Sequence, residues 1–309
     1  MPATANLSPD DLQTAPRRVR KERTVRTVLA LAASVSVLIS VLLVFSLLRE
    51  AWVFIIGIDW ASTWTDGWFP RRGQYDVRTL VVATMITTGI AMAVAGPIGL
   101  SAAIYLSEYA STKLRAVVKP VLEILAGIPS VVLGFFALFF IAPELVGRLN
   151  EDATAGSLAA AGIGVGLLTI PLVASVSEDA MKAVPIDLRE AAAGLGARKA
   201  AIAAKVVLPA AISGVVASFI VATARAIGET MVVFIAGGAA DSAGYTHSPF
   251  EGSLTMTAAM ASLASGTDQV KGEGYTFQSL FFVGLLLFII TFVLNIAADR
   301  FVRRVREQY

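Results

Sequence analysis

Leu80–Leu106 reads LVVATMITTGIAMAVAGPIGLSAAIYL, an uncharged run of 27 residues. As a helix it extends about 40 Å, more than the ~30 Å of bilayer hydrocarbon. It shows no alternation of polar and apolar residues, so it does not read as a half-buried strand. Five more stretches of this kind flank it: Thr27–Leu48, then about 117–143, 157–176, 210–236 and 277–298. Backbone groups in lipid must be satisfied within the segment, which selects helices over isolated strands. The prolines in these runs (Pro97, Pro129, Pro171) are tolerated in membrane helices, where neighbours repair the lost hydrogen bonds. The fold class expected is an all-α membrane protein with six transmembrane helices.

Composition supports that reading. Of 309 residues, 56% are hydrophobic and 16% charged, with a mean hydropathy of +0.73. Soluble domains carry about 25% charged residues, and this chain lacks the polar surface to stay dissolved. It has no cysteine, which removes disulfides and thiolate metal sites. The lone histidine, His247, falls in a loop and receives no role. Thr27–Leu48 has a longer apolar core than a secretory signal and no small-x-small cleavage site, so it is expected to be a retained first span.

Lys and Arg orient the bundle. With the N-terminus in the cytoplasm, segments on that side hold eighteen of the 25 cations. Outer segments hold six, Lys271 among them, and Arg225 lies within a span. Both termini are therefore expected in the cytoplasm. The expected division is a basic tail over 1–26, the first span and an outer loop over 27–75, a five-helix core over 76–302 and a tail over 303–309. The outer stretch carries Trp52, Trp60, Trp64 and Trp68, and reads equally as a helix along the membrane surface or a packed loop. Gly162 and Gly166, four apart, are read as a close helix–helix contact.

Between the fourth and fifth runs, within 180–209, lies a distinctive cytoplasmic segment. Pro185 suits an early helical position and Asp187 a first turn. Leu188–Ala193 is rich in helix formers, and Gly194 and Gly196 end the helix. A second short helix is expected over Arg198–Val207, stopping before Pro209. Helices this short need a partner surface. Glu190-Ala191-Ala192, then Gly196, Val206 and Leu208-Pro209 resemble the signature of inner-membrane permease subunits of ATP-binding-cassette importers, with Val206 where Ile is usual. The resemblance implies a coupling helix that docks in a groove of an ATPase subunit.

Three ionisable residues fall in or beside apolar runs: Glu123, Arg225 and Glu229. Intramembrane charges cost about 2.5–3.5 kcal/mol on insertion scales and line pathways or pair within bundles. Glu229 is four residues after Arg225, so one continuous helix would present both on one face as an ion pair. Glu123 reads as structural. The planar fork of arginine suits oxyanions, while a purely structural pair is the alternative reading of the residues alone. Arg225-Ala226-Ile227-Gly228-Glu229-Thr230 resembles a motif of the phosphate-specific branch of these permeases. Ala126-Gly127-Ile128-Pro129-Ser130 and the basic end Val302-Arg303-Arg304-Val305 do so too. The likeness covers about 75–305, is MetI-like, and lies nearer the PstC type than the PstA type.

The resemblance implies a phosphate permease whose substrate pathway includes Arg225 and Glu229. The chain would lie in the cytoplasmic (inner) membrane, and its partners would be a second homologous permease subunit, two ATPase subunits, an extracytoplasmic phosphate-binding protein and the lipid bilayer, with no nucleic acid. No phosphate-binding loop of the Gly-x4-Gly-Lys-Ser/Thr kind occurs. ATP and Mg are thus expected on the partner ATPase, no cofactor on this chain, and no enzyme activity of its own. The alternatives are a sulfate or molybdate permease, an ATP-independent secondary transporter, or a membrane scaffold.

Overall fold

The computed structural model describes residues 16–64, 67–238, 244–266 and 274–305. Residues 1–15 of the tail, Lys271 and residues 306–309 lie outside the described residues. The first helix, α1, runs Pro16–Gly57. Up to Arg49 it forms a unit by itself. Its side chains from Glu22 to Leu43 are exposed, as suits lipid. Ser34 and Ser40 donate their hydroxyls to carbonyls one turn back, which satisfies these two groups without water.

The second unit begins at Glu50. Phe54, still on α1, is buried between Tyr75, edge-on at 5.1 Å, and Phe282, stacked at 4.9 Å. A short 3-10 turn, Trp60–Trp64, and a two-stranded hairpin follow: β1 (Trp68–Phe69) with β2 (Gln74–Tyr75). The tryptophan stretch is thus neither a long surface helix nor a single loop. Trp52 lies on α1, and Trp68, the first residue of β1, is buried in the core.

Helix α2 (Val77–Ile104) starts at the Asp76 cap, which accepts from the Arg78 amide, and ends in a π-helical turn, Tyr105–Tyr109. Then come α3 (Thr112–Ala126), α4 (Ser130–Leu149) and α5 (Leu158–Lys182). The apolar run expected at 117–143 is therefore two elements. Pro129 disfavours helix at the residue before it, so α3 ends and Pro129 serves as the N-cap of α4. Glu123 consequently sits outside any span, exposed on α3.

α5 is the hub. Hydrophobic burial gives helices little reason to associate in lipid, so close fit supplies the attraction. A Cβ added at Gly162 would fall 2.8 Å from the Cβ of Ile90, and one at Gly166 would fall 2.9 Å from the Cβ of Val94 on α2. The small-residue spacing is a packing contact, as read. Gly166→Leu is expected to cost about 1–3 kcal/mol by overpacking. Gly89→Ala, with open space around it, should be neutral. Thermal melts of the purified protein in detergent compare the two variants.

Four elements follow α5: α6 (Ile186–Gly194), α7 (Lys199–Ala210), α8 (Ile212–Ile227) and α9 (Met231–Ala236). α7 does not stop before Pro209, as expected, but runs through it. A π turn at Ala203–Val207 widens the helix just ahead of the proline, where the ordinary hydrogen bond is lost. α7 meets α8 at a 72° bend. Ser177 on α5 and Ser218 on α8 share a buried hydrogen bond of 2.7 Å.

The last two helices are α10 (Met256–Ala264) and α11 (Thr276–Val305). α10 was not expected. It lies in the loop before the final span, yet Met256, Ala258, Ala259 and Leu263 are buried. Among the described residues five helices are long and apolar enough to cross a membrane, or six with the bent α7–α8 pair as one span. The chain is an all-α membrane protein. One core cluster joins the hairpin to α4, α5, α9, α10 and α11. A second, with Met181, Val184, Ile202, Val207 and Val215, lies beneath α6 and α7.

Candidate functional site

Three places carry the polar chemistry. The first is α6. Its end is a Schellman closure: Ala197 N–H donates to Ala192 O at 3.1 Å and Gly196 N–H to Ala193 O at 2.9 Å. Gly196 has φ +80°, which favours glycine, as the motif spacing anticipated. The motif then divides by exposure. Ala192 and Leu208 pack on the second core cluster. Glu190, Ala191, Gly196 and Pro209 face outward, beside an exposed Ile186 and a Leu195 that is 90% exposed. An apolar side chain so exposed on a short helix marks a surface fit for a partner.

The second place is the break after α8. Arg225 and Glu229 do not form the ion pair that a continuous helix would allow. α8 ends at Ile227 and Gly228 caps it, so Glu229 leaves the helix face of Arg225. The Glu229 carboxylate instead accepts from the amides of Met231 at 3.2 Å and Val232 at 3.4 Å, capping α9. Thr257 on α10 donates its hydroxyl to Glu229 O at 2.7 Å. Met256 N–H donates to the Thr84 hydroxyl of α2 at 3.0 Å. α9 and α10 thus hold the break, and α2 holds α10. Arg225 is exposed and makes no hydrogen bond or ion pair among the described residues. Its cation sits at a helix C-terminus, where the dipole favours it.

The third place went unnoticed in the sequence. Glu178, at the foot of α5, is fully buried and faces three cations. These are Arg115 at 3.4 Å and Lys119 at 3.1 Å, both from α3, and Lys182 one turn on. Lys119 also reaches the more exposed Asp179 at 2.5 Å. That bond to Asp179 is the main cause holding the Lys119 ammonium above the usual lysine range. Arg115 and Lys119 are one turn apart, the available hint of a shared face, but nothing in the local sequence ties them to Glu178.

Next to it, Glu108 on the π turn of α2 pairs with Arg189 of α6 at 3.1 Å. Among the described residues no group of three or more His, Cys, Asp or Glu comes together to hold a metal. His247 lies edge-on to Tyr245, with ring centres 4.7 Å apart.

Residues 95–307 match the family described as "Binding-protein-dependent transport system inner membrane component". The phosphate transport system permease protein PstC of Mesorhizobium japonicum is 29% identical over 89% of either chain. PstC 1 of Mycobacterium tuberculosis is 33% identical, over 78% of this chain and 76% of its own. PstC of Haemophilus influenzae is 31% identical over 86% and 90%. Among solved structures, inward facing conformations of the MetNI methionine ABC transporter are similar at a TM-score of 0.54. That match is 22% identical and covers 75% of this chain and 94% of that one, a likeness of fold.

Proposed function

The chain belongs to the binding-protein-dependent transport system inner membrane components, and from that membership we propose that it is the phosphate-translocating permease subunit of an ATP-driven importer. The observation that carries the cargo assignment is Arg225. It is a guanidinium with no partner among the described residues, on the bent α7–α8 span and at the motif shared with the phosphate-specific branch. A planar fork with all its donors free suits a tetrahedral oxyanion. The names of the relatives, phosphate transport system permeases, agree with it.

In this reading a second homologous permease subunit completes the pathway. Two ATPase subunits dock on the coupling helices, with Glu190 and Ala191 of α6 and Leu195 just after it in the contact. An extracytoplasmic binding protein delivers phosphate. ATP and Mg stay on the ATPases, and this chain binds no cofactor. Both termini lie in the cytoplasm, residues 1–26 and 303–309 being tails and 76–302 the permease core. The break at 228–230 keeps Glu229 from neutralising Arg225. Glu229 therefore shapes the pathway rather than contacting the anion.

The reconstituted complex tests this. ATP hydrolysis should rise at least tenfold with phosphate-loaded binding protein and stay at its basal rate with sulfate or molybdate. Equal stimulation by sulfate or molybdate overturns the cargo assignment. Uptake by this chain alone, driven by an ion gradient without nucleotide, overturns the importer reading in favour of secondary transport.

A further inference from the structure

We propose that Glu108 and Arg189 form the joint that carries motion of α6 into α2 and α5, which makes Glu108 a positioning residue for coupling. The inference rests on the reading above that an ATPase subunit docks on α6. A nine-residue helix is too short to be held by its own hydrogen bonds. Its apolar contacts through Leu188 and Ala192 are non-directional and resist sliding weakly.

Arg189 supplies direction. Its guanidinium donates to Val184 O at 2.6 Å, to Met181 O at 2.8 Å and to the Glu108 carboxylate at 3.1 Å. The two carbonyls belong to the end of α5 and the link after it, and Glu108 to the end of α2. One planar group thus ties three elements with three bonds of fixed geometry. The Glu108 side chain is 10% exposed and that of Arg189 21%, so water competes little for the bond.

The ties close into a ring. Ser107 donates its hydroxyl to the same Glu108 oxygen at 2.8 Å. Arg115 of α3 donates to Leu106 O at 2.9 Å and Ser107 O at 3.0 Å, and pairs with Glu178 of α5. A push on α6 therefore meets the ends of α2 and α5 together, and α3 with them. The end of α2 is a π turn, a geometry that departs from the regular ladder and recurs at functional sites. Such a turn is suited to yield when Glu108 is pulled.

The test uses the complex with its ATPase and binding protein, in wild type, Glu108→Gln, Arg189→Gln and the double variant. Glu108→Gln is expected to leave ATPase co-purification and basal hydrolysis unchanged while phosphate transported per ATP falls at least tenfold. Adding Glu108→Gln to Arg189→Gln should lower that ratio no further, because without Arg189 the bond that Glu108 makes to α6 is already gone. An unchanged ratio overturns the proposal. So do drops that multiply, or losses of co-purification and uptake in step, which a merely structural role gives.

Hydrogen exchange separates this from the functional reading. On adding ATPase and a non-hydrolysable ATP analogue, amides of residues 105–109 should change protection in wild type and not in Glu108→Gln. If that difference appears in a complex that moves no phosphate, the joint stands and the assigned cargo falls. If wild type shows no change there, the joint falls whatever is transported.

Discussion

Arg225→Gln is expected to abolish phosphate uptake while the complex still assembles. Arg225 contributes little to the fold: it is exposed and bonds to nothing among the described residues. Exposed substitutions of that kind usually shift stability by no more than about 0.5 kcal/mol. Toward an anion in a dehydrated pathway the balance reverses. Removing one member of a close charge pair costs about 2–5 kcal/mol, because the other charge is left uncompensated. At 1.4 kcal/mol per decade that is roughly 30- to 4,000-fold in occupancy. Labelled phosphate uptake and co-purification of the ATPase are the two measurements. Arg225→Lys should fall between wild type and Gln, since it keeps the charge but loses the planar fork. Uptake unchanged in Arg225→Gln would sink the role. Loss of assembly would instead make Arg225 an interface residue between subunits.

The spans were legible because lipid leaves the backbone few options. A long uncharged run such as Leu80–Leu106 has to be helical, and it lies in α2 and the π turn that ends it. Breaks inside apolar runs were harder to see, since hydropathy does not register them. The pair Ile128-Pro129 held the clue to the α3–α4 break, but in a membrane helix the same dipeptide is also compatible with a kink. Gly228 gave still less warning that Arg225 and Glu229 would part, because glycine caps a helix and packs within one equally well. α10 was missed for its length. Nine residues cannot cross hydrocarbon, and the run reads as a loop until its burial against α2 and α11 is seen. The closure of α6 was the most legible part, since its turn chemistry is local: a Schellman closure needs only Gly196 and its neighbours.

Glu178→Ala is the substitution expected to damage the fold most, and its cause was invisible for the opposite reason. Glu178 lies 59 residues from Lys119, and no periodicity links α5 to α3. The carboxylate is fully buried, whereas its partners Arg115, Lys119 and Lys182 keep 25%, 27% and 35% of their side chains exposed. Removing it leaves three cations facing one another around an empty site. Breaking a buried ion pair costs about 3–5 kcal/mol, and the lower figure applies here because the cations can turn partly to water. Glu178→Gln should rescue only in part, for its carbonyl oxygen still accepts but the negative charge is lost and its NH2 faces groups that are all donors. The pair Glu144–Arg148 provides the contrast, with side chains 51% and 74% exposed. Glu144→Ala there should cost no more than about 0.5 kcal/mol, as surface helix pairs do. Melting temperature and membrane accumulation of the three variants decide the matter. If Glu178→Ala melts with Glu144→Ala, the network at the foot of α5 does not hold α3 in place. If it melts far lower while Glu108→Gln melts as wild type, the ring at this end has one side that bears the fold and another that transmits motion.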